Sequence, residues 1–291
     1  MSKIYSQKSI NIVLPISIAL LMLLTLSIYI VLPVNQRYYV LDTGPWGYSK
    51  LSRDVTWVQS IQDLKTVDSS RTLLIIAREN YLDRDEVEVI KEFIEKNGLA
   101  LIYGEPLFIV DFLANLGVDA EYLGDVVDPV NTFDDNVVHI YIDHINSSAF
   151  LVSPYTIAIH NINSSISIEV IAFTSTISYL DKNGNGYYDI GEPLDRYPVV
   201  FLIHIGSGEI VVFCARGVLT NNVVDLNRGL LEILLKNRVG VLDQSWVKHN
   251  SFLYLKLYLV TARGVSPIYI SIAVVLLVLV GIYVYRFLEK R

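Results

Sequence analysis

Cysteine is all but missing from this chain: Cys214 stands alone among 291 residues. A lone thiol excludes an intramolecular disulfide, so a folded domain has to rest on the size of its core, which this length permits. Histidine is sparse too, with five residues. His139-Ile140-Tyr141-Ile142-Asp143-His144 lacks the i, i+4 helical pair of a zinc protease, and its alternation reads as a strand. No serine nucleophile elbow, phosphate loop or dinucleotide fingerprint is present. Gly206-Ser207-Gly208 reads as a tight hairpin turn instead. There is no low-complexity linker and no internal repeat.

Charge is absent from two long windows. No Lys, Arg, Asp or Glu occurs between Lys8 and Arg37, nor between Arg263 and Arg286. Each window supplies the roughly 20 apolar residues that a helix needs to cross a bilayer core. Lys3 and Lys8 precede the first window, and Arg286, Lys290 and Arg291 follow the second. Positive flanks stay in the cytoplasm. The expected organisation is therefore a cytoplasmic N-terminus over 1–9 and a transmembrane helix over 10–34. An extracytoplasmic α/β domain over 35–240 and a membrane-proximal connector over 241–266 follow. A second transmembrane helix over 267–286 and a cytoplasmic tail over 287–291 complete the chain. The lipid bilayer, and membrane proteins within it, are the expected partners of this two-pass arrangement in the cell membrane.

Basic residues are outnumbered. Five of the 23 basic but only one of the 30 acidic residues lie in the tails, so residues 34–265 hold 18 basic and 29 acidic side chains, a net charge of −11. Such a domain repels nucleic acid, which is excluded as a partner. Asn146-Ser147-Ser148 and Asn163-Ser164-Ser165 are glycosylation sequons consistent with export.

Within the domain, Tyr38–Asp42 reads as a first strand, followed by the turn Thr43–Gly47, a short helix over 48–53 and a strand near Val55–Val58. Arg71–Ala77 is a continuous apolar run, as a strand covered on both faces requires. Apolar positions 87, 90, 93 and 94 repeat at helical spacing, and Asn97-Gly98 stops that helix. Leu99–Tyr103 is another buried strand, and Phe108–Leu116 a helix closed by Gly117. Connections this short imply a parallel strand–helix–strand unit. The second half turns β-rich over Phe150–Ile159, Ile166–Phe173 and Val199–Ile205. A hairpin strand over Glu209–Cys214 and a last helix over Val224–Lys236 follow.

Three segments carry a family likeness: Gly47-Tyr48-Ser49-Lys50-Leu51, the unit from Leu73 to Gly104, and Gly208–Asn222 with the helix beyond. On these, residues 37–236 resemble the class I glutamine-amidotransferase-like fold. More narrowly, they resemble the domain of unknown function 4350 family of membrane-associated prokaryotic proteins. The resemblance implies an amidotransferase-like parallel sheet with a β-rich second half. It also places a nucleophilic cysteine on the sharp turn after a central strand. Here that turn is Tyr103-Gly104-Glu105-Pro106, which has no thiol. Cys214 falls inside an expected strand, where a small buried hydrophobe is the ordinary reading. The missing thiol argues against glutamine hydrolysis by a Cys–His–Glu triad, and no catalytic residue is assigned.

The sharpest local motif runs from Asp181 to Glu192. Asp181, Asn183 and Asn185 stand at positions 1, 3 and 5 of a twelve-residue calcium loop, with Gly186 at the turn. Tyr187 would offer its carbonyl, Asp189 a carboxylate at position 9, and Glu192 a bidentate carboxylate at position 12. The flanks look like strands, so the expectation is a structural Ca²⁺ clasp and not a sensor. Asp42 and Glu105, at the ends of expected parallel strands, are pocket-lining candidates. Asp125, Asp128, Asp134 and Asp135 read as solvated loop acids. The expected function is a non-enzymatic binding or assembly module; the competing reading is a hydrolase using carboxylates at strand ends.

Overall fold

The structure, a computed structural model, describes residues 17–25, 29, 34–134, 136–163, 165–247, 253 and 256. The chain divides into two compact units, one comprising Met1–Pro33 with Lys248–Arg291 and the other Val34–Val247. In the first unit residues 17–25 are helical. The expectation of a two-pass membrane protein is corrected at this point. Among the described residues no helix is long and apolar enough to cross a membrane. The remainder of 10–34, apart from residues 29 and 34, and all of 267–286 lie outside the described residues.

The second unit is built from β1 (Thr56–Val58), β2 (Thr72–Arg78), α1 (Arg84–Glu95), β3 (Leu99–Gly104) and α2 (Pro106–Leu116). Then come β4 (Val118–Val127), β5 (Thr132–Asp134), β6 (Val137–Ile142), β7 (Ser147–Ile162), β8 (Ile166–Phe173), β9 (Ser178–Asp181) and β10 (Leu194–Asp195). It ends with β11 (Pro198–Ile205), β12 (Gly208–Phe213), β13 (Ala215–Gly217), α3 (Arg228–Leu234) and β14 (Val239–Asp243). Every residue of β2 and β3 is buried, which is why both read as unbroken apolar runs. Each Leu or Ile so placed contributes about 1.5–3 kcal/mol through removal from water.

Helix α1 begins where Glu86 reaches back to accept the Asp83 N–H at 3.0 Å, and buries Val87, Ile90, Phe93 and Ile94. Helix α2 starts on Pro106, whose missing N–H costs nothing in the first turn. It ends at Gly117, whose left-handed backbone (φ 90°) lets its N–H return to the last carbonyls.

The expected parallel sheet is corrected. One seven-stranded sheet has the order β1-β14-β2-β3-β12-β11-β8. Its first five strands are mutually parallel, but β12–β11 and β11–β8 are antiparallel. A second, antiparallel sheet has the order β10-β9-β4-β7-β6-β5, with β13 also on β7. The fold is thus mixed α/β with two sheets, and strands predominate. The cause lies in β7. Its first half pairs with β6 and its second with β4, and between them Ser153 takes φ 47°, bending the strand. Phe150–Ile159 reads as one β-rich segment in sequence, and only Ser153-Pro154 in its middle marks where the two halves part.

The expected strand over Tyr38–Asp42 is a buried turn. Tyr38 has φ 57°, its N–H donates to the Trp46 carbonyl, and the Asp42 N–H donates to Tyr39. Both tyrosine side chains are fully buried, so their apolar signature reflects burial alone and no ladder forms.

Candidate functional site

The carboxyl ends of the parallel strands are where an open α/β sheet takes a ligand, and here charges fill that edge. Arg78, the last residue of β2, is 1% exposed. Its guanidinium donates to Asp243 Oδ2 at 2.7 and 2.9 Å, to both Glu86 oxygens at 2.9 and 3.0 Å, and to Ser245 Oγ at 2.7 Å. Burial pushes the Glu86 carboxyl up, but the Arg78 bonds outweigh it and hold the group below its ordinary value.

Glu105 occupies the turn after β3, at the position the family resemblance assigns to the thiol. Gly104 before it has φ 145°, and an added Cβ would sit 2.5 Å from the Arg78 carbonyl oxygen. The Glu105 carboxylate lies between two guanidiniums, Arg37 at 2.7 Å and Arg216 at 3.1 Å. Arg216 continues to Asp125 at 3.0 Å, and Arg37 to Glu79 at 3.5 Å while stacking over Trp46. Burial alone would lower the Arg216 pKa; Asp125 and Glu105 raise it instead. Asp42 is 2% exposed, and its Oδ1 accepts the Val34 and Gly44 N–H groups. It ties a turn. Behind Glu105, Tyr38, Tyr48 and Tyr103 pack with ring centroids 5.9–6.4 Å apart, and burial pushes all three phenols up. Burial does the same to the Cys214 thiol, so neither a thiolate nor a phenolate forms near neutrality.

The loop from Asp181 to Glu192 closes on itself. Asp181 Oδ1 accepts the Gly184 and Asn185 N–H groups and Oδ2 that of Gly186. Glu192 accepts the Lys182 and Asp189 N–H groups at 3.0 Å. The Asn183 and Asn185 amides both donate to Asp189 Oδ2, and the Tyr187 N–H donates to Asn185 Oδ1. Gly184 and Gly186 supply the positive φ that so tight a path needs. Among the described residues no group of three or more His, Cys, Asp or Glu side chains could hold a metal ion, so the calcium-binding expectation is corrected. The physical reason is that the loop's own amides engage the carboxylates that the spacing had offered to a cation.

What the loop does form is one wall of a cleft of about 640 Å³. Asp181, Asn185, Gly186 and Tyr187 face the ends of β4 and β6, the bend at Ser153-Pro154, and Arg216. Tyr179 fastens the wall by donating to the Gly186 carbonyl at 3.0 Å. On the opposite side, Asp128 is no solvated acid but 0% exposed. It accepts from Val130, from the Asn131 backbone and side chain, and from the Ser175 backbone and hydroxyl. Burial raises its carboxyl, and these donors more than offset that, leaving it below its ordinary value. Tyr122 donates to Asp125 at 2.8 Å, and burial, aided by that carboxylate, pushes its phenol up to about 12. Sequence reasoning placed Asp125 and Asp128 in open loops and passed over Arg216. Asp128-Pro129-Val130-Asn131 does carry a turn signature that points to a bonded aspartate, whereas nothing local marks Arg216. Asp135 lies outside the described residues.

No family model matches the chain, and neither does any curated protein; the likeness to the domain of unknown function 4350 family therefore rests on the sequence motifs. Among solved structures, the mmIFT52 N-terminal domain is 15% identical with a TM-score of 0.41, over 61% of this chain and 81% of that one. A ThuA-like protein from Bacteroides uniformis is 13% identical with a TM-score of 0.34, over 62% and 70%. The exo-β-1,4-mannosidase Op5Man5 from Opitutaceae bacterium strain TAV5 is 12% identical with a TM-score of 0.31, over 55% of this chain and only 23% of that enzyme. These likenesses are too distant to carry an argument about fold or activity.

Proposed function

We propose that the Val34–Val247 unit is a binding module whose cleft receives a cationic group of a partner protein. The observation that carries this reading is how far carboxylates outnumber cations along the cleft. The carboxylates at the ends of the parallel strands are consumed in ion pairs: Asp243 and Glu86 by Arg78, Glu105 by Arg37 and Arg216. A general base or nucleophile held between two guanidiniums is a poor one, which disfavours hydrolysis. The cleft is concave, and on its lining Asp125, Asp128 and Asp181 outnumber the cations, with Asp125 paired to Arg216 and Asp181 bonded by its own loop amides. Its single cation, Arg216, is already matched by two carboxylates. The field in such a cleft attracts positive charge, as does the net charge of −11 on residues 34–265.

Titration of the isotope-labelled full chain with a tetra-arginine peptide tests this. Amide shifts confined to residues 125–128 and 181–187, weakened by added salt and by Asp125→Asn, are expected. Shifts spread evenly over the surface, or equal responses to a tetra-glutamate peptide, would overturn the reading.

A further inference from the structure

The mixed sheet ends on β8. Along Ile166–Phe173 that strand pairs with β11, and no other strand pairs with it among the described residues. The Ile166 N–H donates to the Asn163 carbonyl at 2.9 Å, so it points away from β11. By strand alternation the N–H and C=O groups of Ile168 and Val170 point the same way. Natural sheet edges are usually blunted by lysine, proline or a bulge. Residues 166–170, Ile-Ser-Ile-Glu-Val, hold no lysine or proline and a single charge, Glu169, and the register shifts begin only at Val170, opposite Phe201.

We propose that the chain self-associates through this edge, two copies of β8 pairing antiparallel about a twofold axis at Ile168. The sequence is self-complementary in that register. Ile168 faces Ile168 of the second copy, Ile166 faces Val170, and Ser167 faces Glu169. The side chains of Ile166, Ile168 and Val170 all pack towards the core and are half-buried, whereas Ser167 and Glu169 are exposed on the opposite face. Pairing therefore sets apolar against apolar on one face, and a hydroxyl donor against a carboxylate on the other.

Apolar surface continues from the core-facing side of the strand. An apolar groove of about 500 Å³ opens beside β8, lined by Ile168, Val170, Leu123, Ile157, Ile159 and Phe201, and no charged residue lines it. Leu123 stands 44% exposed at its rim. The interface is isologous, so it closes at two copies and does not propagate. Net charge opposes the association, and salt therefore strengthens it.

Two measurements on the full chain test the proposal. Ile168→Cys should cross-link under mild oxidation, because directly opposed residues of a hydrogen-bonded antiparallel pair lie about 5.5 Å apart at Cα, within disulfide reach. Gln62→Cys, exposed elsewhere on the unit, should not cross-link at that rate. Sedimentation should show a dimer whose dissociation constant moves in opposite directions with the charge at 167. Ser167→Glu, set against Glu169 twice, weakens it about tenfold, and Ser167→Lys tightens it by a similar factor. Gln62→Glu and Gln62→Lys alter the net charge equally and should move it less than twofold. A monomer at 100 µM, cross-linking no faster at 168 than at 62, or indifference to the charge at 167 would each overturn the proposal.

Discussion

Replacing Arg78 by methionine removes the cation that holds three parts of the fold together. Arg78 ends β2, Asp243 ends β14, and Glu86 lies in the first turn of α1. In the Arg78→Met chain, Asp243 remains 0% exposed but loses both guanidinium bonds to Oδ2. It keeps only the Ser245 N–H on Oδ1 at 3.0 Å. Glu86, with 19% of its side chain exposed, can regain water and contributes the smaller part of the cost. Stranding one partner of a buried pair costs about 3–5 kcal/mol, a large share of a typical domain stability of about 5–15 kcal/mol. With m near 2 kcal/mol/M, the urea midpoint should fall by roughly 2 M. Trp57 lies in β1 against β14, so tryptophan fluorescence of the full chain reports the transition. The double variant Arg78→Met/Asp243→Leu should recover most of the loss, since apolar replacement of both partners is near neutral. The deficit of the single variant should also narrow below pH 4.5. The folded Glu86 carboxyl sits below that ordinary value, so its stabilisation is complete above pH 4.5 and vanishes as pH falls through the folded pKa. A single-variant loss under about 1 kcal/mol, or a double variant no more stable than the single, would refute the reasoning.

Gly104→Ala forces a side chain into φ 145° against the Arg78 carbonyl. It should cost about 3 kcal/mol, lowering the melting temperature by on the order of 10 °C; a shift under about 2 °C contradicts this. Asp128 is held below its ordinary value of 3.8, so its stabilisation is lost as pH drops through the folded pKa, and Asp128→Asn should flatten the acid limb of the urea-midpoint curve. An unchanged limb would show that the Ser175 and Asn131 bonds add nothing. Asp181→Ala frees the Gly184 and Gly186 amides of an exposed loop and leaves that of Asn185 on Asn183 alone. Hydrogen exchange at Gly184 and Gly186 should quicken at least tenfold while the melting temperature moves by only a few degrees, and unaltered protection would deny the closed loop. Cys214, buried and with its thiol pushed up, should react with a disulfide reagent only in denaturant.

Much of the architecture shows in one dimension wherever a signal is local. The centres of β2, β3, β11 and β12 are apolar runs because both faces of the sheet are covered. The 3.6-residue period over α1, the proline opening α2 and the glycine closing it are read directly. Where the signal is shared with another cause, reading fails. Tyr38 and Tyr39 look like strand residues, since buried aromatic turns and strands have the same composition. β14 passes unnoticed because Val239–Asp243 is short and lies 185 and 167 residues along the chain from its partners in β1 and β2.

By itself, then, the sequence determines the absence of a thiol after β3, the acidic balance of residues 34–265, the strand–helix–strand unit and a tight loop at Asp181–Glu192. Each depends on residue identity or on spacing within a dozen positions. Tertiary structure alone decides how the charges are spent. Arg216 lies 91 residues from Asp125 and 111 from Glu105, and no local pattern announces that it bridges them. The same holds for the bend at Ser153 and for the loop carboxylates, whose spacing suits a cation equally well until the positions of the backbone amides are known. Long-range pairing of charges, and the direction in which N–H groups point, are properties of the folded chain.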